Sequence, residues 1–493
     1  MSLLSSVVYL LYAACSLLLL AYGLNTCVVI YLFLRKRKAS DREDLVAARE
    51  AFDALEEPPV VTTQIPLYNE VNVAERVIRA VAAIDYPKDR HEIQVLDDSD
   101  DETCALVDAV AEELRGRGHW IEVFRRRDRV GYKAGALHAG MQVCRGEFIA
   151  IFDSDFLPPR DFLRRSLPVL VADAGCALVQ ARWDHLNQKH SWLTRAQAVG
   201  IDGHFVVEQT ARNRNGLFMN FCGTAGVWRR AAIDDAGGWE HDTVTEDLDL
   251  SYRAQLRGWR FHYMPDLLVP AELPTSYSAF KSQQYRWAKG SIQTARKMLP
   301  RVWRARLPLF TKLQATVHLT HYALHFQMAL LALLVLPLML CYLGEEIPLY
   351  QSALFLTFLV PAALGPTVGY AVCQYYGHPK DWGRRMLHLP YLLVVGFGIC
   401  LSNAKAVVEG LFGKDRTFVR TPKAGESSIK RYAVKRNWLP NFELAFAAYA
   451  LVTAAVLARI GEYSLMPFVL IYVLGFSVVG YRSRQELRIR PES

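Results

Sequence analysis

The first 34 residues of this chain carry no charged side chain, and Arg35-Lys36-Arg37-Lys38 follows at once. An uncharged stretch of that length exceeds the ~20 residues a helix needs to cross a bilayer. A cleavable signal peptide has its positive charges before the apolar run and a small-residue cleavage site after it; here the order is reversed. The segment predicts an uncleaved anchor, with its N-terminus outside and the residues from Arg35 onward in the cytoplasm.

Four later segments, 316–343, 348–376, 441–458 and 464–481, are similarly apolar. Residues 387–412 are the exception. Counted as a full span they would move the Lys- and Arg-rich loop 414–435 to the outside, and Asn403, Lys405 and Glu409 interrupt their second half. They are assigned to the cytoplasmic interface, partly re-entrant. Five spans result, which also leaves the Arg-rich end 482–490 in the cytoplasm. The expected organisation is an anchor (1–34), a linker helix (35–57), a catalytic α/β unit (58–275), interfacial helices (276–312), a transmembrane hairpin (313–377), an interfacial helix with a basic loop (386–440), a second hairpin (441–482) and a short tail (483–493). Such a chain is a multi-pass protein of the inner or plasma membrane.

Of the 493 residues, 52% are hydrophobic and 22% charged, which suits a globular unit fused to membrane segments. The net charge of +8 comes from basic clusters beside the apolar segments. Attraction to anionic lipid headgroups explains them more economically than nucleic-acid binding, so membrane lipids are expected partners and nucleic acid is not. Nine cysteines with no C-x-x-C pair indicate neither a disulfide framework nor a zinc site.

From about residue 58 to 312 the pattern changes to short β-branched runs alternating with helical stretches, predicting a mostly parallel sheet covered by helices. Strands are expected at 60–65, 93–96, 148–152 and 177–180, and a helix at 69–83 with Asn69 as its N-cap. Residues 39–57 read as a solvated helix. In open α/β sheets ligands bind beyond the carboxyl ends of the strands, where Asp97 and Asp153 fall.

Asp153-Ser154-Asp155 places two carboxylates on one side of an extended segment. Oxygen ligands of this kind suit Mg²⁺ or Mn²⁺ held together with substrate phosphates; a solvated turn is the alternative. A carboxylate at Asp97 or Asp98 can accept hydrogen bonds from a ribose hydroxyl or a base N–H. Lys133, framed by Gly131 and Gly135, can reach a diphosphate or merely sit at a Gly-capped helix start. Thr245-Glu246-Asp247 opens a helix, either as its cap or with a carboxylate placed to take a proton from a hydroxyl; Asp249, further along, is the weaker candidate. Gln283-x-x-Arg286-Trp287 lies on a helix whose Ala279, Phe280, Tyr285, Trp287 and Ala288 make an apolar face suited to the membrane interface. Arg286 offers a fork for phosphate and Trp287 a flat face for a sugar ring, unless the helix is only an anchor.

In their order these motifs resemble the processive, membrane-embedded glycosyltransferases of family 2. They are most similar to the cellulose synthase-like mannan and glucomannan synthases and more distantly to cellulose synthase. The likeness runs from about residue 60 to 300 and includes Gln94 to Ser99, Arg129 to Leu137, Leu178 to Trp183, Gly223 to Gly226, Thr245-Glu246-Asp247 and the Q-x-x-R-W stretch. It implies a GT-A type catalytic fold in which Asp97, Asp98, Lys133, Asp153 and Arg286 bind the donor nucleotide and its diphosphate. Asp153 and Asp155 would hold Mg²⁺ or Mn²⁺, and Asp247, beside Glu246, would be the general base. Cys222, Gly223 and Thr224 would form the loop beneath the acceptor sugar, with Gln283 and Trp287 lining the acceptor end. Phe418, Arg420, Thr421 and Lys423 resemble the gating loop of cellulose synthase. Unlike the bacterial cellulose synthases, the chain has one span before the catalytic unit and no cyclic-dinucleotide-binding domain after it, so activation by that messenger is not expected.

The resemblance implies an inverting transfer of a hexose from GDP-mannose or UDP-glucose to a growing β-linked polysaccharide. The alternative is a glycolipid synthase acting on diacylglycerol or a sphingolipid. A transporter with a nucleotide-binding domain predicts ionisable residues along a path through the membrane, and the apolar segments are nearly free of them.

Overall fold

The computed structural model describes residues 3–37, 42–340, 349–413 and 438–487. Seven strands, β1 (Val61–Leu67), β2 (His91–Asp97), β3 (Trp120–Phe124), β4 (Phe148–Ile151), β5 (Cys176–His185), β6 (Gly226–Arg229) and β7 (Arg260–Ala271), form one sheet in the order β3-β2-β1-β4-β6-β5-β7. β1, β2, β3 and β4 are mutually parallel, as are β5 and β7; only β6 runs antiparallel, between β4 and β5. Every residue of β2 and β4 is buried; β4 reads as an unbroken apolar run, while β2 buries His91, Glu92, Gln94 and Asp97 among its apolar residues.

Three strands go beyond the expected four. β3 is a largely half-buried edge, β6 has only four residues, and β7 contains Pro265 and Pro270, which argue against a strand from sequence. β7 tolerates them because it is an edge strand and its register shifts opposite Ala181 and Arg182. The expected helix at 69–83 begins later, at Ala74–Ala82, and Asn69 does not cap it. Asn69 adopts φ 53 and pairs with Asp100: its amide donates to the Asp100 carboxylate at 2.7 Å and its carbonyl accepts from the Asp100 N–H at 2.9 Å. Asn enters the left-handed region at little cost, so a turn wins over a cap. The linker helix Arg42–Asp53 is not merely solvated, since Phe52 is buried in the sheet's core and Leu45 packs against it.

Among the described residues four helices are long and apolar enough to cross a membrane: Ser6–Lys36, Ala323–Leu340, Leu439–Ile460 and Met466–Glu486. The pair Trp382–Gly398 and Cys400–Phe412, bent by 48°, makes a fifth if it is one span. Leu10, Leu17, Leu18, Leu24 and Tyr31 on the first helix are all at least half exposed, a pattern that lipid explains and water does not. The expected span 348–376 falls on the 29-residue helix Leu349–Gly377, which has no Asp, Glu, Lys or Arg and packs along the first helix. A Cβ on Gly23 would lie 2.7 Å from the Ala362 Cα, and one on Gly365 2.4 Å from the Gly23 carbonyl oxygen. Small residues at this crossing let the backbones touch.

The C-terminal end of the first helix is tied to the α/β unit. The Lys36 ammonium donates to the Arg214 carbonyl at 2.8 Å, and the Arg214 guanidinium donates to the Lys36 carbonyl at 3.1 Å. The segment carrying Phe418, Arg420, Thr421 and Lys423 lies outside the described residues.

Candidate active site

At the carboxyl edge of the sheet, β4 delivers Asp153 and Asp155 into a cleft that is open to solvent. The Asp153 N–H donates to the Thr224 hydroxyl at 2.9 Å, so fully buried Thr224 sets the backbone of this turn and does not line the cleft. Lys133 enters from the first turn of the helix Tyr132–Val143, whose cap Gly131 sits at φ 74. Its ammonium donates to Asp153 at 2.6 Å and to the Gly223 carbonyl at 2.8 Å, with Glu246 at 3.9 Å. Glu246 and Asp247 open the helix Glu246–Leu256; Asp247 accepts from the Leu248 N–H at 2.8 Å. From the opposite wall the helix Tyr277–Arg304 contributes Gln283, Arg286 and Trp287. Cys222 and Gly223 complete this part of the cleft.

Six carboxylates, Asp153, Asp155, Asp184, Glu246, Asp247 and Glu272, thus share a cleft with Lys133 and Arg286. Burial, aided by the neighbouring Glu246 charge and partly offset by Lys133, pushes the Asp247 carboxyl up to about 7. Burial raises Glu246 as well, again against the pull of Lys133. The same burial would lower Lys133, but Asp153, Glu246 and Asp247 outweigh it and raise the ammonium above its ordinary value. Arg286 is lowered by burial in spite of the carboxylates facing it. The set therefore holds one carboxyl poised near neutrality beside a firmly cationic lysine, an arrangement suited to moving a proton next to a bound anion.

Two expected residues stand apart. Asp97 and Asp98 end β2 at the same sheet edge but do not line this cleft, and arginines hold both: Arg125 Nε donates to Asp97 at 2.9 Å and Arg126 Nε to Asp98 at 3.0 Å. Arg129 lies 3.2 Å over the Tyr68 ring beside them. Asp249 points away from the cleft and pairs, fully buried, with Arg253 at 2.7 Å and Lys297 at 2.9 Å. Lys297 also touches Glu240 and Asp242, so this trio of carboxylates already surrounds an ammonium.

The face of the Gln283 helix differs from its expected role. Phe280 and Ala288 are buried by protein, and Tyr285 donates to Glu409 on the helix Cys400–Phe412. Trp183, His185 and Glu272 line the cleft without having been singled out as site residues. Trp183 and His185 lie two apart on β5, a spacing that could have shown them on one face. Glu272 follows β7, the strand hidden by its prolines, and is held by Arg76 at 2.6 Å.

Gly223 has φ +80, and a Cβ there would lie 3.0 Å from Asp247 Oδ2 and 3.4 Å from Lys133 Nζ. Gly223→Ala is therefore expected to cut turnover by roughly tenfold or more by displacing Asp247, and to lower the melting temperature by a few degrees because alanine is strained at this positive φ. Turnover and thermal unfolding of the purified variant check this.

The family profile described as "Glycosyltransferase like family 2" matches residues 58–290. Over 444 residues the chain is 35% identical to glucomannan 4-beta-mannosyltransferase 2 of Arabidopsis thaliana, covering 86% of this chain and 80% of the relative. It is 46% identical over 250 residues to glucomannan 4-beta-mannosyltransferase 1 of Oryza sativa subsp. japonica, covering 50% and 48%. A similar solved structure is the mannosyltransferase PcManGT from Pyrobaculum calidifontis, in complex with GDP-Man and Mn²⁺. It aligns at TM-score 0.53 and 20% identity over 82% of this chain and all of that one, a likeness of fold. The sheet and its membrane helices define a membrane-associated GT-A type glycosyltransferase. Within that class the chain belongs to glycosyltransferase family 2, among the cellulose synthase-like mannan synthases.

Proposed function

We propose that the enzyme transfers a mannosyl or glucosyl unit from a GDP- or UDP-sugar to the end of a growing β-linked polysaccharide, inverting the anomeric centre. The observation that carries the mechanism is Asp247: a half-buried carboxyl pushed up to about 7, facing the Lys133–Asp153 pair across Gly223. Asp247 takes the proton of the acceptor hydroxyl as that oxygen attacks, Lys133 and Arg286 hold the departing diphosphate, and Trp287 offers a ring face to the acceptor sugar. With Asp247 as the base, attack by the acceptor hydroxyl itself accounts for the chemistry without a covalent intermediate on the protein.

Asp153 and Asp155 fit a divalent cation. Both line the cleft, they are hard oxygen donors, and the six carboxylates of the cleft exceed its two cationic side chains, Lys133 and Arg286. When bound, Mg²⁺ or Mn²⁺ would supply positive charge to the diphosphate. Asp97 and Asp98 are proposed to reach the nucleoside once Arg125 and Arg126 yield to it. The mannose donor and the polymeric product are supported by the names of the relatives. The catalytic unit is proposed to face the cytoplasm, with the chain's N-terminus outside, from the basic residues that end the first helix.

Purified enzyme in lipid, given Mn²⁺ and radiolabelled GDP-mannose or UDP-glucose, is expected to make high-mass material sensitive to β-mannanase or β-glucanase. Chloroform-soluble label alone would replace the polysaccharide by a glycolipid product. The pH dependence follows from the proton Asp247 must accept. Below about pH 7 it is protonated and cannot act, so kcat/KM should rise tenfold per pH unit up to about 7 and level off above. A profile flat from pH 5 to 8 would contradict the assignment.

A further inference from the structure

The helix that carries Gln283, Arg286 and Trp287 is held by carboxylates from the distal half of the chain. At its N-terminus the Tyr277 and Ser278 N–H groups donate to the two oxygens of Glu486 at 2.7 and 2.8 Å. One turn on, Lys281 meets Glu443 at 2.5 Å, with side-chain exposures of 8% and 0%. Glu443 lies on the helix Leu439–Ile460 and Glu486 ends the helix Met466–Glu486. Towards the catalytic unit the same helix supports the loop before the base. Gln293 accepts from the Val244 N–H at 3.0 Å, Thr294 and Thr245 hydroxyls meet at 3.1 Å, and a Cβ on Gly290 would lie 2.4 Å from the Thr245 side chain.

One helix thus sets both Arg286 and the approach to Glu246 and Asp247, and its N-terminal turns, which lead into Gln283 and Arg286, are held by Glu443 and Glu486. We propose that Lys281, Glu443 and Glu486 are positioning residues for glycosyl transfer, through which the C-terminal hairpin fixes the register of the Gln283–Trp287 segment against the base. The proposal rests on the transfer reaction above. Ångström-scale displacement of reacting groups costs up to about a hundredfold in rate, and a buried charge left without its partner would drive such a shift.

The test uses full-length enzyme in lipid nanodiscs, with Glu443→Gln, Lys281→Gln, Glu486→Gln and the reversed pair Lys281→Glu with Glu443→Lys. Each single variant should lose about tenfold or more in kcat, with a smaller change in donor KM, and the reversed pair should recover most of the loss. Hydrogen exchange of the 277–304 amides should speed up in the Glu443 and Lys281 single variants and return towards normal in the reversed pair. Wild-type kcat in the three single variants overturns the proposal. So does a loss shared equally by kcat and KM, or a reversed pair that folds yet is no more active than the single variants. Glu486→Gln leaves the buried pair intact, so it keeps the test decisive if the other variants fold poorly. If wild-type enzyme released nucleotide from no sugar nucleotide, the transfer reaction would fall, while altered exchange and its recovery would still establish the clamp.

Discussion

Asp247→Asn is expected to lower turnover by about 10²- to 10⁴-fold while leaving nucleotide-sugar affinity nearly unchanged. Asparagine keeps the shape and can still accept from the Leu248 N–H, but it cannot take up a proton at neutral pH. It also removes the charge that faces Glu246, so the cleft should not reorganise to expel the donor. Single-turnover nucleotide release gives the rate and equilibrium titration the affinity. Substantial residual turnover would remove Asp247 from the role of base, and a parallel collapse of affinity would mark it as part of the binding architecture instead.

The second large effect is expected at Asp153. Its carboxylate lies 2.6 Å from Lys133 and is proposed to share a divalent cation with Asp155. Asp153→Asn leaves Lys133 with a weaker partner and halves the proposed ligand set. Nucleotide release should fall by about 10²- to 10³-fold, and the Mn²⁺ concentration giving half the maximal rate should rise. The metal titration separates this from general damage to the cleft, because an unchanged midpoint would show that Asp153 does not ligate the cation.

Much of this site is visible in the sequence because local signals and the sheet edge agree. An apolar run that ends in Asp153-Ser154-Asp155 marks both a buried strand and the ligand-binding end of it. Thr245-Glu246-Asp247 marks a helix start whose acidic residues enter the cleft. What stayed hidden depends on contacts distant in sequence. Arg125 and Arg126 occupy Asp97 and Asp98, which local sequence leaves looking free. The apolar face of the Gln283 helix, suggestive of a membrane interface, is covered by a helix more than a hundred residues later, with Tyr285 bonded to Glu409. The partners of Lys281 and Tyr277 are 162 and 209 residues away, beyond any local pattern. β7 escaped notice because two prolines outweigh its aromatic and aliphatic residues until its edge position is known.

Titration calorimetry on the Asp247→Asn enzyme, which holds donor without consuming it, tests the central claim most directly. GDP-mannose or UDP-glucose should bind with Mn²⁺ present, and binding should weaken sharply when a chelator removes the metal. Binding of neither nucleotide-sugar, or equal binding with and without the metal, would contradict an acidic cleft that captures its donor through a cation.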